Sequence, residues 1–214
     1  DFNKRFRNIA VDRSRMVFKE EYVKGGWIGK AQYPGCLDRT HRIGQWDTGM
    51  KLIAGFDPAM GLGKSAKFCA HIVLGLGSCK HHESCLWVID IKRDQMTLPQ
   101  QCQFILEQHQ HYDLWKSIVE CNAYQRGLYD ELKRRMEAEG VAYQIEAHYT
   151  TKVNKPDPEL GVQSMGPWFE DGRVHIPWGD LASQRKMQQP VDELIQYPGK
   201  YQDTVLAMWF AYKY

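Results

Sequence analysis

Nowhere in the 214 residues is there an apolar run near the ~18 needed to cross a bilayer, so no membrane partner is expected. The start of the chain shows no basic, apolar, small-residue leader, and with Asp1 in first place it reads as a processed product or an excised piece of something longer. An excess of either charge is missing too. A formal net charge of +2 gives no bulk attraction for nucleic acid, so any such binding must come from local patches. Arg5, Arg7, Arg13 and Arg15, the run Lys133, Arg134 and Arg135, and the loop lysines Lys152 and Lys155 form such patches, and each also fits a solvated face. Cysteine pairs at finger or knuckle spacing are missing. The six cysteines, at 36, 69, 79, 85, 102 and 121, are scattered, several within apolar strands, the usage of buried thiols in a reducing compartment. Cys79-Lys-His-His-Glu-Ser-Cys85 alone suggests zinc through its two thiols and two imidazoles, but it falls where a hairpin turn is expected.

What is present is an ordinary globular composition, 43% hydrophobic and 25% charged, in a chain long enough for one sizeable core. Its organising stretch is KLIAGFDPA, residues 51–59. Leu52, Ile53, Ala54 and Phe56 suit a strand buried on both faces, Gly55 marks a close backbone approach, and Asp57 stands at the end before Pro58. Two more segments share the design: SIVECNAYQ delivers Glu120 at the end of an apolar strand, and YQDTVLAMWFAY is an apolar helix that begins at Asp203.

Residues 1–48 lack periodicity beyond Met16-Val17-Phe18 and read as an arm wrapping the domain, anchored by Trp27, Tyr33 and Trp46. From residue 51 three strands (51–56, 67–76 and 85–91) follow with connections too short for crossovers, so an antiparallel meander is expected. A helix over 98–112 comes next, then a strand at 117–120, a helix over 123–138 stopped by Gly140, and a strand at 143–147. A polar loop precedes a small hairpin around Asp171-Gly172, with 173–176 as its return, and helices follow at 181–188 and 203–212. This order predicts an α/β fold, a ribonuclease-H-like mixed β-sheet flanked by helices on both faces. Its first and fourth strands are parallel neighbours, which brings Asp57 and Glu120 to adjacent strand ends, ~4.8 Å apart in the sheet.

Carboxylates that close raise each other's pKa unless a cation sits between them. Oxygen ligands without histidine or cysteine select magnesium or manganese over zinc. Two such ions can activate water and stabilise the departing oxygen of a phosphodiester, with Asp57 bridging and Glu120 and Asp203 on either side. Singly, Asp57 also fits a turn, Glu120 a strand end and Asp203 a helix cap; the case rests on the three together. Gly61-Leu-Gly63-Lys64-Ser65 imitates the end of a P-loop, but the first glycine of that motif would fall at Pro58, and a strand is expected to follow. ATP binding is therefore not expected, and Lys64 is free to meet a phosphate backbone.

The runs GFDPA, IDIKRDQMT, VECNAYQRGLYDEL and YPGKYQDTVLAMWFAY together resemble the C-terminal nuclease domain of tailed-phage terminase large subunits, over roughly residues 50–212. The resemblance implies a two-metal (Mg2+ or Mn2+) endonuclease that cuts concatemeric double-stranded DNA into genome lengths in the host cytoplasm, with catalytic and metal ligands Asp57, Glu120 and Asp203. It also implies an ATPase motor domain, a small terminase subunit and a portal as partners. Residues 1–48 would then be the arm or linker from a preceding motor and 49–214 the nuclease domain. Lys152, Lys155 and Arg173, with Lys64, are the expected phosphate contacts, and His175 is read as structural. The last helix departs from the family in carrying Gln202-Asp203 and Leu206 where many members have further acids; Asp90, read as a strand end, could replace one. Two rival readings of the same residues are a recombinase, transposase or resolvase core and a non-catalytic nucleic-acid or motor-docking module.

Overall fold

The computed structural model describes residues 16–63, 67–122, 126–151 and 153–213. Seven strands form one mixed sheet in the spatial order Leu37–Asp38 (β3), Val174–Pro177 (β9), Cys85–Asp94 (β6), Cys69–Gly77 (β5), Lys51–Asp57 (β4), Lys116–Glu120 (β7) and Ile145–His148 (β8). Its centre is the expected meander, β4 (Lys51–Asp57), β5 (Cys69–Gly77) and β6 (Cys85–Asp94), with β5 antiparallel to both neighbours. β7 (Lys116–Glu120) runs parallel to β4, and β8 (Ile145–His148) runs parallel to β7.

Both faces are covered. α2 (Leu98–Tyr112) and α3 (Arg126–Glu139) lie over the face carrying Phe56 and Val119, where Cys102, Ile105, Leu128 and Leu132 are buried. The start of α2 is fixed by Thr97, whose amide donates to Gln100 Oε1 at 2.9 Å, and by Pro99 in its first turn. On the other face lie α5 (Leu181–Ile195) and α6 (Asp203–Lys213). α6 is buried almost all round, from Thr204 to Ala211, which is why its sequence shows no polar stripe.

Two local expectations change. Asp171-Gly172 is not a hairpin turn: residues Gly166–Glu170 form a helix, α4, and Gly172, at φ +68°, stops it by donating to the Phe169 carbonyl. β9 (Val174–Pro177) then runs parallel to β6 on one side and to β3 (Leu37–Asp38) on the other. The helix expected over 181–188 continues to Ile195 through Pro190, because Met187, Val191 and Leu194 are buried in the core and outweigh the lost backbone bond.

The segment before the meander is woven into the same core. It contains α1 (Glu20–Lys24), the hairpin of β1 (Gly26–Ile28) and β2 (Ala31–Tyr33), and β3, which edges the sheet. Phe18, Tyr22, Val23 and Cys36 are buried there, and Tyr33 packs tilted against Tyr22 with ring centroids 4.7 Å apart, whereas Trp27 is 62% exposed and is no anchor among the described residues. Among the described residues no helix is long and apolar enough to cross a membrane.

Candidate active site

The acidic centre is built by one glycine and one register. α6 crosses β4 so closely that a Cβ on Gly55 would fall 1.9 Å from the Ala207 carbonyl oxygen and 2.9 Å from the Ala211 nitrogen. Only glycine admits that contact. It sets the start of α6, with Asp203, beside the end of β4. Along β4 the side chains alternate: Phe56 faces α2, and Gly55 and Asp57 face α6. On β7, Val119 pairs with Phe56 and packs on the α2 side, so Glu120, one residue on, faces α6 as Asp57 does.

The Asp57 and Glu120 carboxyls lie side by side, within hydrogen-bonding reach of each other. The Asp57 carboxyl is held well above the usual carboxylate range, first by burial, then by the charge and hydrogen bond of Glu120 and the charge of Asp203; Lys155 opposes the rise. Asn122 Nδ2 donates to Glu120 Oε1 at 3.0 Å. Asp203 stands off from the pair: its Oδ2 accepts from Arg93 Nη2 at 3.2 Å, and the three carboxylates do not all approach within 4.8 Å of one another. Arg93 in turn lies 3.5 Å from Glu193, which is 4% exposed and accepts from both the Thr204 amide (3.0 Å) and hydroxyl (2.6 Å). Glu193 thus caps the very helix that carries Asp203.

Lys155 also stands close enough to feel the charge of all three carboxylates. Burial lowers its pKa, the charges of Asp57, Glu120 and Asp203 oppose that, and its Nζ donates to Gln202 Oε1 at 3.0 Å. The sequence reading offered it as a phosphate contact in a loop; the fold brings that loop to the carboxylates. Arg173 is not brought there. It sits beside the start of β6, donates to the Ser84 carbonyl at 2.9 Å and lies over the Trp168 ring at 4.0 Å, at the far end of the β5/β6 hairpin from Asp57. Lys64 and Lys152 fall outside the described residues, as do Arg5, Arg7, Arg13 and Arg15.

Asp90 takes no part in the centre, and it is not a strand end: β6 runs on to Asp94, and Asp90 pairs with Lys186 and accepts from Tyr112 Oη at 3.0 Å. Arg93, Asn122 and Glu193 are the neighbours that sequence reasoning missed. Arg93 lies within the quoted run IDIKRDQMT, but only the pairing of Ala70 with both Asp57 and Arg93 shows that it reaches the acidic end.

The donor set suits a hard divalent cation. It is all carboxylate oxygen, and the crowding of negative charge that raises the Asp57 carboxyl marks a place where positive charge is wanted.

No protein-family model and no curated protein matches the sequence. Solved structures do match in fold. The nuclease domain of the large terminase subunit gp2 of bacterial virus Sf6 superposes with a TM-score of 0.55 at 9% identity, over 92% of this chain and 97% of that one. A mutant gp2c fragment of the same bacteriophage subunit, with calcium, gives 0.50 at 9% identity over 84% and 81%. The fold is the ribonuclease-H-like α/β sheet expected from the element order, and the resemblance to the terminase nuclease domain holds at the level of fold.

Proposed function

We propose that this chain is a metal-dependent DNA endonuclease, the nuclease domain of a viral genome-packaging terminase that cuts concatemeric double-stranded DNA with little sequence preference. The observation that carries this reading is the convergence of Asp57, Glu120 and Asp203 at one end of the sheet, close enough that Glu120 and Asp203 both raise the proton affinity of Asp57. The fold match to the Sf6 nuclease domain, and the calcium named with one of those structures, support the reading without extending to this chain's substrate.

Asp57 and Glu120, with Asp203 on the other side of Asp57, would hold Mg2+ or Mn2+. Ions there would supply the charge that activates water and stabilises the departing oxygen of a phosphodiester. The chain's own groups do the rest. Asn122 orients Glu120, and Arg93 and Glu193 fix the helix end that presents Asp203. Lys155 brings a positive charge to the same opening, where it would meet the phosphate of the cut strand. In this reading the arm of residues 1–48 leads from a preceding ATPase motor and packs, from Phe18 on, against the nuclease domain of 49–214; the small subunit and portal complete the machine, and the compartment is the host cytoplasm.

The position of Lys155 favours one alternative, a non-catalytic module of the same fold in which the lysine neutralises the carboxylates without any metal. Plasmid nicking in manganese separates the two. The nuclease reading expects cleavage by the wild type and a loss of at least ~10²-fold in Asp57→Asn, as for removal of one charge-stabilising group. A wild type that neither nicks nor gains thermal stability with millimolar manganese would leave only the module.

A further inference from the structure

The far end of the β5/β6 hairpin carries a second constellation of different chemistry. Cys79 lies in the turn after β5, Cys85 opens β6, and His175 lies on β9, next to β6 in the sheet. Cys85 pairs with Gly77, whereas Asp57 pairs with Ala70 at the other end of β5, so the two places are separated by about seven residues of strand, ~23 Å. Donor atoms of Cys79, Cys85 and His175 all lie within 4.8 Å of one another, the only such group of three among the described residues. The two sulfurs are 3.2 Å apart. Thiolate and imidazole ligands around a tetrahedral ion, bound at ~2.3 and ~2.0 Å, stand roughly 3.5–3.8 Å from each other, so small side-chain adjustments suffice.

The histidine is prepared for this. Its ring stacks flat on Trp87 (3.9 Å between centroids, 9° between planes), and Nδ1 faces Asp38 Oδ2 at 2.9 Å. A carboxylate can only accept, so Nδ1 carries the hydrogen and Nε2 presents its lone pair. Asp38 is itself fixed, because Oδ1 accepts from the Thr40 amide at 2.8 Å and hydroxyl at 2.7 Å. Yet His175 Nε2 is buried with no hydrogen-bond partner among the described residues. A carboxylate that orients one imidazole nitrogen while the other waits beside two thiols is the supporting shell of a metal ligand. Backbone bonds already shape the turn: Cys79 N donates to the His82 carbonyl at 2.9 Å and His81 N to Cys79 Sγ at 3.5 Å.

We infer that Cys79, Cys85 and His175 bind one zinc(II) ion, which ties the β5/β6 turn to β9, with Asp38 as a positioning residue for His175 and the fourth position on the open side of the turn. Two thiolates and an imidazole select this borderline cation over the hard ions suited to the carboxylates, so the site is chemically independent of the acidic centre.

The test is metal content and spectroscopy on the full chain, purified under reduction without chelator. Wild type should carry about one zinc per chain, and cobalt(II) in its place should give a thiolate-to-cobalt charge-transfer band with the visible bands of tetrahedral cobalt. Cys79→Ser, the change at the half-exposed sulfur, should abolish both; Asp38→Asn should weaken zinc binding about 10- to 100-fold and retain the thiolate band. Asp57→Asn should leave zinc binding unchanged, so the result does not depend on the nuclease reading. Wild type that takes up no zinc, Cys79→Ser that binds it as tightly as wild type, or a Cys79–Cys85 disulfide in freshly isolated protein would each overturn the inference. Should Cys79→Ser fail to fold, His175→Ala read by the same cobalt spectrum decides.

Discussion

At the scale of single residues, the acidic centre is a place where charge is stored against its own repulsion. The Asp57 carboxyl is raised by burial and by two neighbouring carboxylates, so in the absence of metal its ionisation disfavours the folded state at neutral pH. Asp57→Asn removes that cost. The variant should therefore melt higher than wild type in chelator, by a few degrees, since ~1 kcal/mol is worth about 2–4 °C in a domain of this size. It should also lose most of the stabilisation that magnesium or manganese gives wild type. A variant that melts lower in chelator and still responds to manganese would remove Asp57 from the metal set. Glu193 tests the support behind Asp203. Glu193→Ala leaves the Thr204 amide and hydroxyl without their buried acceptor and Arg93 without one ion-pair partner, and should cost about 1–3 kcal/mol. Glu193→Gln, which can still accept from Thr204, should cost less; equal losses in urea unfolding would show that the helix end does not depend on this acceptor.

At the scale of elements, the decisive contact is helix on strand at Gly55. Gly55→Ala puts a methyl carbon into the backbone of α6, where no side chain can swing aside. The expected loss is at least ~3 kcal/mol, the upper end for overpacking, because backbone must move. Any folded fraction should also bind manganese more weakly than wild type, as α6 carries Asp203 away from Asp57; a variant with normal melting and normal metal response would refute this account of how the centre is assembled. Gly55 was legible in the sequence as a close approach, though not what approaches. Strands β4 to β7 and the start of α2 were legible for the same kind of reason: short apolar runs, a Thr-Leu-Pro start, and connections too short for crossovers. β3 was not, since a two-residue edge strand carries no periodicity; β9 was expected as a strand at 173–176, but not its parallel pairing with β3 and β6. Nor was the role of Asp171-Gly172, because a left-handed glycine after an acid ends a helix as readily as it turns a hairpin. The acidic residues could be chosen from their places at element ends. Their supports, Arg93 and Glu193, could not, because they belong to elements far from one another in sequence and meet only in the folded sheet.

For the molecule as a whole, the distribution of imidazoles sets a limit in acid. His71 is 3% exposed, between Phe56 and Phe104, and burial pushes its pKa down to about 4, with Lys186 and Lys92 adding to the effect and Asp90 opposing it. Burial likewise lowers His148, to about 4, and also lowers His109 and His175. A histidine depressed in the folded state takes up its proton on unfolding first, so its contribution is full above its ordinary pKa of about 6.5 and is lost as pH falls toward the folded value. For His71 alone the span from about 6.5 to about 4 amounts to ~3 kcal/mol, a large part of the 5–15 kcal/mol typical of a domain. His71→Leu keeps the volume and removes the proton site. Wild type and variant, compared by urea unfolding at about pH 7.5 and about pH 4.5, should differ in their acid losses by ~2.5 kcal/mol, since about pH 4.5 stops short of the folded value, the variant losing less, while the other buried imidazoles cancel between them. Parallel losses would mean that His71 protonates inside the folded protein as easily as outside it, and acid sensitivity would then have to come from other groups, His148 first among them.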